Sequence, residues 1–253
     1  MTTLLLALTL VLQSPEDAKL PTFEVASVKP IDPKARNFIN AQIFPGGRIL
    51  LKSQHLTYLA AAAWMIPVFR VQGPKDINMY GFTIEAKPPE DDSNSRPTVQ
   101  AMGVQFPEIS MLRLRALIIE RFHLKYHLEN REHLAYDLVV SKGGHGLQTA
   151  PLSKDYPLSC RPTNITSRGR TMAELTARLG EFYLQTDVYD KTGLTDAYEF
   201  SFSFEPLFTA SPPGDPLPTI FESIHDTLGL KLVPHKEMAK FLVIDHFEQP
   251  TAN

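Results

Sequence analysis

"MAELTARLGEFYLQTDVYDKTGLTDAYEFSFSFEP", Met172 to Pro206, decides the fold. It opens with apolar residues at helical spacing, passes through an extended piece and a polar turn, and ends in strict alternation. In its last residues Tyr198, Phe200, Phe202 and Phe204 fall on one face, as a half-buried strand requires. The same succession occurs earlier, in "LTYLAAAAWMIPVFRVQGPKDINMYGFTIEAKPP", Leu56 to Pro89. A constant shift of 116 lays Leu56 on Met172, Leu59 on Leu175, Lys75 on Lys191 and Phe82 on Tyr198. Self-similarity at a fixed offset is the mark of an internal repeat.

Each copy is followed by a second segment of shared pattern. "MLRLRALIIERFHLKYHLENREHLAYDLVV" spans Met111 to Val140, and "IFESIHDTLGLKLVPHKEMAKFLVID" spans Ile220 to Asp245. Both read as an amphipathic helix and two strands joined by a charged turn, with Gly229 as the C-cap of the second helix. The expected fold is therefore α+β, with two pseudo-symmetric halves. Each half runs helix-strand-strand-helix-strand-strand, in a mainly antiparallel sheet with helices on one face. Two further strands, "TFEVASVKP" and "GGRILLKSQ", flank a Pro45-Gly46-Gly47 turn ahead of the first copy. The first half is placed at 19–145, a polar linker loop at 146–170 and the second half at 171–253.

The apolar run Leu4–Leu12 is too short for the roughly 20 helical residues that cross a bilayer. It suits the apolar region of a secretory signal peptide, placed at 1–18, after whose removal no transmembrane segment is expected. A net charge of −3 with interspersed signs offers no basic stripe, so nucleic acid is excluded as a partner. The single cysteine, Cys160, allows no internal disulfide and sits in a Pro-bracketed loop, where it reads as a spectator thiol.

Asp190-Lys191-Thr192-Gly193 spells the start of the phosphorylation motif of P-type ATPases. The preceding "LQTDVY" is too polar for the buried parallel strand such an aspartate needs, and no distal Gly-Asp-Gly element supplies magnesium ligands. The stretch reads instead as a β-turn, with Gly193 at positive φ and Asp190 bonded to the following amides. His123 and His127, if extended, stand roughly 13 Å apart at about 3.3 Å per residue, too far to share an ion. Glu129, Arg131 and Glu132 read as a solvated hairpin turn. With no His-Glu-x-x-His, Gly-x-Ser-x-Gly or dinucleotide fingerprint in the chain, no metal site, cofactor or catalytic residue is expected.

"FEVASVKP", "PGGR", "ERFHLKYHLENRE" with "YDLVVSKGG", "VYDKTGLTDAYEFSFSF" and the closing "LGLKLVP…FLVIDHFEQPTAN" together carry a resemblance. In this order they resemble the soil-associated protein family expanded in Acidobacteria such as Solibacter, whose shared region is a domain of unknown function. The resemblance runs from Phe23 to Asn253 and implies an N-terminal export signal. Some related proteins join the domain to a membrane-bound antibiotic-sensing peptidase, which implies sensing or binding outside the cytoplasm. The chain departs from the family at Gln72-Gly73-Pro74-Lys75-Asp76, where an aromatic is usual, at Asp196, where glycine is usual, and at His145-Gly146, where Pro-Lys is usual.

The expected function is an exported, non-catalytic module that binds a small ligand or an envelope protein. Asp190, Lys191, Thr192 and Arg131 are the candidate ligand-binding residues. One alternative is a hydrolase of wall or environmental polymers using His127 and Glu129 with Asp190 or Asp245. Another is a structural module that pairs sheet edges with other envelope proteins.

Overall fold

The structure, a computed structural model, describes residues 20–31, 40–90, 98–102, 104–153, 155, 158–206 and 217–250. The expected signal peptide at 1–18 lies outside the described residues. The chain is mixed α+β, with four α-helices among the described residues and mostly antiparallel sheets. It divides into two compact units, Met1–Arg131 with Lys240–Asn253, and Glu132–Ala239.

In the first unit, β1 (Val25–Pro30), β2 (Asn40–Ile43) and β3 (Ile49–His55) precede the helix α1 (Leu56–Trp64). There follow β4 (Val71–Gln72), β5 (Gly81–Lys87), the hairpin strands β6 (Thr98–Ala101) and β7 (Val104–Pro107), and the helix α2 (Glu108–Arg121). The strands order as β1-β5-β3-β2, all antiparallel. Four consecutive alanines, the best helix formers, build α1, which Met65 ends in the left-handed region two residues before Pro67. Buried Met111, Leu114, Leu117 and Ile118 recur at i, i+3 and i+4 spacing along α2.

The strand β8 (Lys125–Val140) continues from the first unit into the second. The second unit holds β9 (Gln148–Thr149), β10 (Ser159–Arg161), β11 (Asn164–Arg170), the helix α3 (Met172–Arg178), β12 (Asp187–Asp190), β13 (Tyr198–Ser203) and the helix α4 (Ile220–Leu228). The last strand, β14 (Leu230–His246), returns the chain to the first unit. Here the sheet order is β10-β11-β13-β9, and the four aromatics from Tyr198 to Phe204 are buried as their alternation requires. Thr171 and Thr219 close capping boxes with Glu174 and Glu222 on α3 and α4. Gly229 ends α4 at φ +66, and a Cβ there would lie 2.4 Å from the Gly144 carbonyl oxygen.

Three sequence expectations need correction. The charged turn expected at Glu129–Glu132 does not exist, because β8 runs straight through it for 16 residues. The charged turn expected in "VPHKEMAK" is likewise strand, inside the 17 residues of β14. Both segments expected to hold two strands therefore hold one long strand. The stretch read as a linker loop, 146–170, carries β9, β10 and β11, because its polar residues lie on the outward face of a sheet whose inward residues are Ile165 and Ser167. The 116-residue offset carries the first residue of α1 onto the first residue of α3.

Candidate functional site

The turn after β12 is built as its residues dictate. Asp190 Oδ1 accepts from the Thr192 amide at 3.0 Å and from its hydroxyl at 2.7 Å, and Thr192 Oγ1 accepts from the Leu194 amide at 3.1 Å. Gly193 supplies φ +72. The Lys191 amide donates to the Leu138 carbonyl at 2.9 Å, and its side chain is exposed. This turn leads into Thr195, Asp196 and Ala197, which form one wall of a pocket of about 560 Å³. Thr149, Leu152 and Thr171 contribute to the rest. Backbone bonds pin both walls: the Ala150 amide donates to the Ala197 carbonyl at 2.9 Å, and the Ser153 amide to the Gly169 carbonyl at 3.0 Å. Gly169, at φ +86, lets the chain at Pro151 approach, since a Cβ there would meet the Pro151 carbonyl oxygen at 2.1 Å. The rim offers the exposed carboxylate of Asp196 and the largely exposed Leu152.

A second arrangement lies on the outer face of the sheet formed by β12, β8 and β14. Residues two apart on a strand share a face, and β12 runs parallel to β8 with Asp187 opposite Ala135 and Tyr189 opposite Asp137. That register puts Asp187 and Tyr189 beside His133 and Asp137, while Tyr136 and Leu138 face the core. His133 Nε2 stands 3.1 Å from Asp187 Oδ2 and 3.3 Å from Glu237 Oε1 of β14. The Tyr189 hydroxyl donates to Glu237 Oε1 at 2.7 Å. Thr186 Oγ1 lies 3.4 Å from His133 Nδ1 and itself donates to the Leu134 carbonyl. His235 stands alongside, its Nε2 3.8 Å from Glu237 Oε2 and its Nδ1 3.8 Å from Asp137 Oδ2. His133, Asp137, Asp187, His235 and Glu237 are half-buried, Thr186 is buried and Tyr189 is exposed; His133, Asp187 and Glu237 are the group among the described residues that could hold a metal ion.

The residues singled out from sequence fall in both units. In the first, His127 Nδ1 meets Asp245 Oδ2 at 2.9 Å, and the Arg131 guanidinium lies 3.8 Å over the Phe241 ring. Glu129 is half-buried on the same strand as His127. In the second unit, Asp190 is engaged by Thr192 of its own turn. The structure thus joins His127 to Asp245, and Asp190 to Thr192. Burial pushes the Cys160 thiol up, so it stays protonated and poorly nucleophilic at neutral pH. Sequence reading missed Asp187, Tyr189, His235 and Glu237. The available signal was polar pairs two apart, Asp187 with Tyr189 and His235 with Glu237, each a strand face rather than a motif.

A family model described as a protein of unknown function, DUF3738, matches residues 57–247, and the chain belongs to that family. No curated protein and no solved structure matches the chain.

Proposed function

We propose that this member of the DUF3738 family is an exported, non-catalytic binding or sensing module, and that its ligand seats in the pocket beside the 191–197 turn. The observation that carries the reading is that the chain's own hydrogen bonds, in the Asp190 turn and the 150–153 strip, hold the pocket walls. Walls set in advance spare the ordering cost that otherwise subtracts from affinity. A volume of about 560 Å³ suits a small molecule. The Asp196 carboxylate and the Thr149 and Thr195 hydroxyls favour a ligand with a cationic or hydrogen-bond-donating group, and Leu152 favours an apolar portion beside it. Support for export comes from the apolar run Leu4–Leu12.

The test is a thermal-shift screen of primary and quaternary amines carrying short apolar chains, on the native chain and on Asp196→Asn. Amines that raise the melting temperature of the native chain and lose that effect in Asp196→Asn support the reading. Amines that act equally on both chains, or hydrolysis of a wall polymer that disappears in His127→Ala, would overturn it. Mass spectrometry of the mature N-terminus in exported protein decides the signal peptide, and an intact Met1 would sink it.

A further inference from the structure

We propose that the outer face of the β12-β8-β14 sheet holds one divalent cation of zinc chemistry, ligated by His133 Nε2, Asp187 Oδ2 and Glu237 Oε1. The site shares no residue with the pocket described above, so either can fail without the other.

The geometry is the first argument. A tetrahedral zinc ion with bonds of about 2.0–2.2 Å holds its ligand atoms about 3.3–3.6 Å apart. His133 Nε2 is 3.1 Å from one carboxylate oxygen and 3.3 Å from the other, and all three atoms lie within 4.8 Å of one another. The ligands sit on three adjacent strands whose register the backbone ladder sets, which is the support a metal site needs to keep its shape.

Charge is the second. His133 Nε2 meets the carboxylate oxygens across either its own proton or a bound cation, because a bare nitrogen lone pair and a carboxylate oxygen repel at this distance. A divalent ion matches the two negative charges of Asp187 and Glu237, and needs the neutral imidazole as its third ligand. Thr186 faces the opposite nitrogen: if it accepts from Nδ1–H, the lone pair of His133 is left on Nε2, directed at the carboxylates. The Tyr189 hydroxyl orients Glu237 in the same manner.

Ligand type selects the ion. Calcium and magnesium take six or more oxygen ligands, whereas one imidazole nitrogen with two carboxylates suits zinc and its first-row neighbours. Three protein ligands leave a fourth tetrahedral position for water. His235 Nε2 lies 3.8 Å from the other oxygen of Glu237, Oε2, and its Nδ1 is buried with no hydrogen-bond partner among the described residues.

The experiment uses the full chain, stripped with a chelator, titrated calorimetrically with Zn²⁺ and optically with Co²⁺. One equivalent of Zn²⁺ should bind, and Co²⁺ should give the intense absorption of a four- or five-coordinate site. Glu237→Gln and Asp187→Asn, which preserve side-chain shape, should each weaken Zn²⁺ binding at least tenfold while circular dichroism stays native. Glu132→Gln removes a carboxylate that pairs with Lys236 at 2.8 Å, and should bind as the native chain does. Asp196→Asn should also bind Zn²⁺ normally, which separates this site from the pocket. The proposal is overturned if the native chain takes up no Zn²⁺ saturably, since His133 is then bridged to its carboxylates by a proton. It is overturned equally if binding survives Glu237→Gln and Asp187→Asn, or if Ca²⁺ binds as tightly as Zn²⁺.

Discussion

His127 and His133 lie on the same strand, and both contact carboxylates, yet their surroundings differ. In the first unit, the His127 and Asp245 side chains are 52% and 32% exposed. Glu248 of the same unit takes His246 and His123 on its two oxygens, which hold its carboxyl below the usual range in the open. In the second unit, the His133, Asp187 and Glu237 side chains are 13%, 12% and 27% exposed. Water and salt screen the exposed pairs, whereas the half-buried group must satisfy its charges from within. His123, His127 and His246 therefore pair with carboxylates at the surface of the first unit, whereas His133 joins a half-buried constellation in the second.

The largest expected effect comes from removing what backs the second arrangement. Leu138 is fully buried on the opposite face of β8, packed in one core with Leu230 and Phe204. Leu138→Ala should lower stability by about 2–5 kcal/mol in urea unfolding, through lost burial and the cavity left behind. A loss below about 1 kcal/mol would mean that this core does not support the strand. Next in size is His133→Ala, expected to cost about 1–3 kcal/mol because it leaves two half-buried carboxylates without their shared partner. His127→Ala should cost less than about 1 kcal/mol, as exposed pairs do. Equal losses in the two variants, measured side by side, would erase the contrast between the units.

The smallest effect is a pH dependence. Glu222 is held below the ordinary glutamate value of 4.5 by the Thr219 amide first and its hydroxyl second, in the capping box of α4. A depressed folded-state value stabilises above that ordinary value, and the contribution fades as pH falls through the depressed one. The stability difference between the native chain and Glu222→Gln should therefore be present at pH 7 and shrink below pH 4.5. A difference that stays constant from pH 7 to pH 3 would assign α4 a cap of another kind.

Elements whose residues contrast sharply in polarity were legible. The alternation from Tyr198 to Phe204, the alanine run of α1 and the Gly229 stop each state their structure locally. Glu129 to Glu132 did not, because strand β8 is polar on both faces there, and a period of two vanishes when both phases are charged. The Asp190 turn was readable, since an aspartate, a threonine and a glycine in that order make their own hydrogen bonds. The group around His133 was not, because its members are 54 and 50 residues apart in sequence and meet only through strand register.

Strand β14 has a consequence for synthesis on the ribosome. The two residues of β4 find their ladder partners at Leu242 and Val243, which are translated some 170 residues later. Until then the nascent first unit carries an unmatched backbone edge next to the apolar α1, the kind of edge that invites pairing with the wrong chain. The last stretch of β14 is thus the clasp that closes the first unit, and a nascent chain that stalls before residue 242 should be a substrate for chaperones and an early seed of aggregation.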